Sequence, residues 1–175
     1  MKRRVIIVGT HHLLQMRNPK RPDEQFPITE EDRNTFKKKI IEWCEEEEAL
    51  GIAEEMNDDA LKRHSHCPRT VPQEVALERG LRHQHSDMDE EQRKALKFQI
   101  EAERMDPARE EIRTLRDKLQ DGIRECYWIK ELIVWDCFPV LFVCGWEHVD
   151  SFREELERHG FETKIAAKKY VPTGS

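Results

Sequence analysis

Short apolar runs alternate with longer amphipathic stretches along this chain. Residues 5–8 and 140–144 are uninterrupted apolar runs with the length of a buried strand, and each ends at a glycine, Gly9 or Gly145. Weaker strands are predicted at residues 50–53, 81–84 and 161–166. The pattern therefore predicts five strands spread over the whole chain.

Capping signals predict helices between these strands. Thr29 is suited to cap a helix over residues 30–49, and Thr70 is suited to cap another, which ends at Gly80. Further helices are predicted at residues 56–62, 108–135 and 149–158. Apolar residues at near-helical spacing support these assignments.

A long charged segment precedes the last two strands. Asp87-x-x-Glu90 resembles a capping box and begins a polar helix, which Pro107 divides from the helix after it. Residues 87–106 form either a solvated helical surface or an arm that contacts a partner, and the charge pattern favours the solvated surface. Residues 87–135 are therefore expected as a helical insertion.

Strands that alternate with helices predict an α/β fold. Such βαβ units give a mostly parallel sheet, and right-handed connections place helices on both faces. The 175 residues are long enough for one core, so residues 1–172 are expected to form a single α/β domain, followed by a tail of residues 173–175.

Composition excludes several classes of function. Charged residues make up 38% of the chain and the net charge is −6, which argues against bulk nucleic-acid binding. The chain has no stretch of 18 apolar residues, so no membrane span is predicted. The apolar run near the N-terminus is too short for a signal peptide. The predicted location is the cytoplasm.

The cysteines predict free thiols rather than a disulfide framework. Their number is odd and none forms a CxxC pair, which is typical of a reducing compartment. Cys44, Cys126 and Cys144 fall in helical or strand patterns and are expected to pack in the core. His64-x-His66-Cys67 resembles a zinc-ligand cluster, but no second ligand pair accompanies it, so a structural zinc site there is not favoured.

Two strands end in the same motif. Gly9-x-x-His12 and Gly145-x-x-His148 each place a histidine on the turn after an apolar strand. In open parallel sheets, ligands bind outside the carboxyl ends of the strands, so residues at these ends are the candidate site residues. The other polar residues at predicted strand ends are His11, Glu54, Glu55, His83, His85, Asp87 and Glu147.

These imidazoles and carboxylates suit either a divalent metal or a general acid–base pair. His148 is expected in the first turn of its helix, where the dipole disfavours the imidazolium. The candidate metal ligands are His11, His12, Glu54, Glu147 and His148, and the candidate catalytic residues include His12, Glu54, Glu55 and His148.

Several of these residues have simpler explanations. Asp87 is expected to be a helix N-cap rather than a ligand. Glu54 and Glu55 fit the start of a solvated helix as well as they fit a site. His83 and His85 are expected on opposite sides of their strand, so that only one of them reaches the site.

With these motifs the chain resembles the TraB/GumN–Tiki group and the related erythromycin esterase/ChaN-like proteins, at the level of small bacterial members. The resemblance covers most of the chain in order and spacing. The residues that carry it are Gly9-Thr10-His11-His12, Glu54-Glu55, Arg124 and Gly145-Trp146-Glu147-His148.

The resemblance implies an α/β fold with the active site between the motif ends, and for Tiki-like members a hydrolase that uses manganese or cobalt. His12 and His148 match the motif histidines, Glu54 or Glu55 matches the family acid, and Arg124 matches the family arginine. The chain is much shorter than typical members and has no predicted secretion signal, so an extracellular protease role does not transfer.

Three functions follow as hypotheses. The first is a hydrolase of a small-molecule or peptide substrate, in which a divalent metal (Mn²⁺, Co²⁺ or Zn²⁺) or a bare His/Glu pair activates water and Arg124 stabilises negative charge. The second is a small-molecule or nucleotide sensor that binds an anion through Arg124, Arg82, Arg79 and Lys62. The third is a structural protein, and the amphipathic residues 108–135 are compatible with a homodimer.

Overall fold

The structure is a computed structural model that describes residues 3–16, 28–64, 69–95 and 110–172. Five parallel strands form one sheet in the order β3-β2-β4-β1-β5. The strands are β1 (Arg4–Thr10), β2 (Gly51–Glu54), β3 (Arg82–His85), β4 (Val140–Gly145) and β5 (Glu162–Tyr170). The predicted α/β class and all five predicted strands are confirmed.

Helices connect the strands much as the capping signals predict. The helices are α1 (His12–Gln15), α2 (Glu30–Glu46), α3 (Asp58–His64), α4 (Val71–Arg79), α5 (Glu90–Ala95), α6 (Glu110–Trp135) and α7 (Val149–Arg158). Thr29 forms a capping box with Asp32, and the hydroxyl of Thr70 accepts from the backbone N–H of Gln73, as expected of N-caps. The short helix α1 was not predicted.

Each face of the sheet has its own apolar core. On one face, Ile6 and Val8 of β1 pack in a cluster with residues of α2 and α4. On the other face, Val5 and Ile7 pack in a cluster with residues of α6 and α7. Because successive strand residues point to opposite faces, an unbroken apolar run is what a strand covered on both faces requires.

The chain changes direction between β1 and β4, which are neighbours in the sheet. The connection that leaves β1 runs through α2 on one face, and the connection that leaves β4 runs through α7 on the other face. Such a switch point opens a crevice at the carboxyl ends of the two strands. The two Gly-x-x-His motifs begin at these ends, with Thr10 paired to Gly145.

The prediction for the cysteines is confirmed only in part. Cys44, Cys126, Cys137 and Cys144 are free thiols, but Cys126 is exposed rather than packed, so that part of the prediction is wrong. Pro107, residues 65–68 of the predicted cluster and the tail at 173–175 lie outside the described residues. No helix in the described ranges is long and apolar enough to cross a membrane.

Candidate functional site

A pocket of about 350 Å³ lies at the carboxyl ends of the strands. Its position agrees with the rule that ligands of doubly wound sheets bind at the switch point. It combines charged side chains with two methionines, so its lining is both polar and apolar. The lining residues are His12, Met16, Glu55, Met56, Ala60, Asp87, Arg93 and Arg124.

The buried carboxylate of Glu55 is the centre of this site. One of its oxygens, Oε2, accepts a hydrogen bond from the backbone N–H of Gly145 at 2.7 Å. The other oxygen, Oε1, contacts the guanidinium of Arg124. The same Oε1 lies 4.0 Å from Nε2 of His12 and 3.5 Å from Nε2 of His148. Glu55 thus joins both Gly-x-x-His motifs.

The guanidinium of Arg124 lies between two buried carboxylates. Besides contacting Glu55, it donates from Nε and Nη2 to Asp87, at 3.2 and 3.0 Å. Burial by itself lowers the pKa of Arg124, but the two carboxylates outweigh burial and raise it. Arg124 therefore remains charged and holds Glu55 in place.

Asp87 belongs to this network and does not cap a helix. Its carboxylate accepts from Arg124, from Arg93 and from the indole N–H of Trp128, the last at 3.1 Å. Burial raises the pKa of Asp87, but Arg124, Arg93 and the indole of Trp128 together outweigh burial and lower it. The N-cap prediction for Asp87 is wrong, because Asp89 accepts from the backbone N–H of Gln92 and begins α5 instead.

His148 is held from behind by an acid on α6. Its Nδ1 donates to Glu125 at 2.9 Å, and Glu125 also accepts from the hydroxyl of Ser151. Burial lowers the pKa of His148, but the bond to Glu125 and the charge of Glu55 outweigh burial, so the pKa is raised. The expectation that a helix dipole disfavours this imidazolium is therefore wrong, since two carboxylates dominate.

The structure brings four of the candidate residues together and separates the other three. His12, Glu55, Arg124 and His148 meet around one carboxylate. His11 instead accepts from the backbone N–H of Leu13 and lies against the ring of Trp146. Glu147 is exposed, and Glu54 is directed towards β3.

Glu54 forms a second polar cluster with two histidines of β3. Its Oε1 lies 2.8 Å from Nε2 of His83 and 3.5 Å from Nε2 of His85. The prediction that these histidines point to opposite sides is wrong, because residues two apart in a strand share a face. Burial raises the pKa of Glu54, but the imidazoles lower it overall. Burial lowers the pKa of His85, but Glu54 and Asp58 raise it overall.

Sequence reasoning missed Glu125 and Arg93. Glu125 occupies the same buried face of α6 as Trp128, Ile129 and Leu132, at a spacing of three, four and seven residues. An acid on an apolar helical stripe is a readable signal of a buried polar partner. For Arg93, which lies on a charged helix, the sequence carries no comparable signal.

The cations expected to bind an anion do not gather in the pocket. Arg79 pairs with Glu45 at 3.0 Å. Arg82 stacks on the ring of Trp135 and donates to its backbone carbonyl. Among the described residues, Arg124 is neutralised by two carboxylates and Arg93 pairs with Asp87, so they leave little free positive charge for a nucleotide or another anion.

No protein-family model, curated protein or solved structure matches this chain.

Proposed function

We propose that this protein is a hydrolase of a small ester or amide substrate, and that His12 is its general base. The observation that carries the proposal is the pair formed by His12 and Glu55 in the pocket. The side chain of His12 is 43% exposed, whereas that of Glu55 is only 3% exposed. A partly open imidazole backed by a buried carboxylate is the arrangement that activates water.

The other groups are suited to keep this pair in position. Arg124 and the backbone N–H of Gly145 fix the two oxygens of Glu55. His148 does not line the pocket and faces Glu55 from the buried side, so we assign it a positioning role. The His12–Glu55 separation of 4.0 Å is longer than a hydrogen bond, as is common in enzymes before substrate binds.

The same geometry disfavours a metal ion between His12 and His148. Both oxygens of Glu55 already accept from protein donors, and Nη1 of Arg124 lies 3.5 Å from Nε2 of His148. A guanidinium beside a ligand atom opposes binding of a second cation. Of the two routes to an activated water, the bare His/Glu pair therefore fits these residues better than a metal.

The proposal is tested by turnover of a panel of ester, amide and phosphoester substrates. We expect the wild-type protein to hydrolyse an ester or amide, and His12→Asn to lower kcat by about 10²- to 10⁴-fold, the usual contribution of a general base. His159→Asn, which changes an exposed histidine at the end of α7, should leave kcat unchanged.

Two outcomes would contradict the proposal. One is a His12→Asn protein that turns over as fast as wild type. The other is a compound that stabilises the wild-type protein thermally through the pocket but is never hydrolysed, which would favour a binding module instead.

Gly145→Ala is expected to reduce turnover at least about tenfold with little loss of stability. An added Cβ would lie 3.1 Å from Nε2 of His12 and 3.3 Å from Oε2 of Glu55. Alanine tolerates the backbone angles of Gly145, and the half-exposed His12 can move away, so the fold survives while the pair is displaced. Steady-state kinetics together with thermal unfolding check this, and unchanged turnover would show that the His12 position is not critical.

A further inference from the structure

A second site lies on the other side of β2, at the buried carboxylate of Glu54. The residue is fully buried at the end of the strand, and its Oε1 accepts from the hydroxyl of Thr70. Its other oxygen, Oε2, has no hydrogen-bond partner among the described residues. A buried carboxylate oxygen without a partner is costly, and a bound cation or water would satisfy it.

Two imidazoles converge on this carboxylate because of the sheet register. Ile52 pairs with His83 and Glu54 pairs with His85 across the parallel strands β2 and β3. One ligand atom from each of Glu54, His83 and His85 lies within 4.8 Å of the other two. Where the structure describes side chains, this is the only group of histidine, cysteine or acidic residues with that property.

The surroundings orient these ligand atoms. Nδ1 of His85 lies 2.8 Å from Oδ1 of Asp58, which leaves Nε2 directed towards Glu54. A carboxylate that holds the far nitrogen of a histidine is the usual support for a metal-binding imidazole. Thr70 fixes the carboxylate of Glu54 in the same way.

The cluster also has an open, acidic approach. His83 and His85 line a cavity of about 600 Å³, which shares only Asp87 with the pocket of His12. Four aspartates and one lysine line it: Asp58, Asp59, Asp87, Asp89 and Lys62. Excess negative charge raises the local concentration of cations, and the open side leaves room for water to complete a coordination shell.

We propose that Glu54, His83 and His85 bind one divalent transition-metal ion, with Zn²⁺ the best match. Two imidazoles and one carboxylate with an open position are a ligand set that zinc accepts at about 2.0–2.2 Å from each ligand atom. This site does not depend on the function proposed for His12, because it shares none of the residues of the His12–Glu55 pair.

The test is a zinc titration of the 175-residue chain after removal of bound metal by a chelator. We expect one equivalent of Zn²⁺ to bind, and Co²⁺ at the same site to give the visible absorption of a low-coordinate nitrogen–oxygen complex. The variant His83→Gln/His85→Gln should lose at least about 100-fold in affinity. Asp58→Asn, which removes only the support of His85, should lose about 10- to 100-fold.

Two control variants show whether zinc binds at another histidine instead of at this site. His12→Asn should bind zinc like the wild-type protein, and so should His66→Gln. The proposal is overturned if the wild-type protein takes up no stoichiometric zinc, or if either of these variants loses binding while His83→Gln/His85→Gln keeps it. If circular dichroism shows that the double variant is unfolded, His85→Gln and Asp58→Asn decide in its place, since unchanged zinc affinity in both overturns the proposal.

Discussion

Arg124→Met is expected to lower the free energy of unfolding by about 3–5 kcal/mol, the cost of removing one partner from a buried ion pair. Arg124 is 19% exposed, and its two partners, Glu55 and Asp87, are 3% and 5% exposed. Methionine keeps packing volume against the ring of Trp128 but leaves Glu55 without its guanidinium partner. Denaturant unfolding at neutral pH measures the change.

The exposed Arg158 supplies the matched control. It is 68% exposed and pairs with Glu154 and Glu155 on the surface of α7. Arg158→Met should change stability by less than about 0.5 kcal/mol, as is usual for surface ion pairs. If Arg124→Met lowered the free energy of unfolding as little as Arg158→Met, burial of Glu55 and Asp87 would not depend on the charge of Arg124.

A second substitution separates the lost charge from lost packing. Adding Glu55→Gln to Arg124→Met removes the unpaired buried charge while the amide still accepts from Gly145. The double variant should therefore be less destabilised than the sum of the two single variants. Simple additivity would mean that the two side chains do not interact through their charges.

The strands β1 and β4 at the centre of the sheet were predictable because they are covered on both faces. Residues 5–8 and 140–144 must be apolar throughout, whichever strands lie beside them, so an unbroken run identifies each one locally. The strand ends that carry polar residues could be named for the same reason. The order β3-β2-β4-β1-β5 could not be read, since it depends on contacts between segments far apart in sequence.

The order of the strands explains why Glu54 and Glu55 belong to different polar clusters. Consecutive residues point in different directions, so one acid of the pair had to leave the site, but the sequence does not say which. The neighbours decide: β3 supplies imidazoles to Glu54, while β4 and α6 supply Gly145 and Arg124 to Glu55. The sequence therefore predicted where polar groups gather, but not that they form two clusters.

The wrong predictions have distinct causes. Asp87 has the local sequence signal of an N-cap, but its carboxylate accepts instead from the buried Arg124 and from the indole N–H of Trp128. The prediction for His83 and His85 misapplied the two-residue period of a strand, which places both on one face. Only the tertiary structure could have corrected the prediction for Asp87. The alternation of side chains along a strand was enough to predict His83 and His85 correctly.

Gly9→Ala is expected to destabilise the protein by about 3 kcal/mol or more, because the new methyl group would overpack a site with no room to yield. An added Cβ would overlap the backbone carbonyl oxygen of Lys168 and a methyl group of Val149, and it would lie 3.0 Å from Cα of Trp146. The pairing of β1 with β5 shifts register on both sides of Val8, which brings this carbonyl close. Thermal and denaturant unfolding measure the effect.

Gly122→Ala is the matched control, because it adds the same methyl group where no atom of the described residues lies within 4 Å. On the exposed side of α6 it should raise stability by about 0.5–1 kcal/mol, the helical advantage of alanine over glycine. A similar loss in both variants would mean that crowding at Gly9 is not the cause. The first motif glycine then has a structural reason that differs from that of the second: Gly9 lets β5 and α7 pack against the end of β1, whereas Gly145 leaves space for His12 and Glu55.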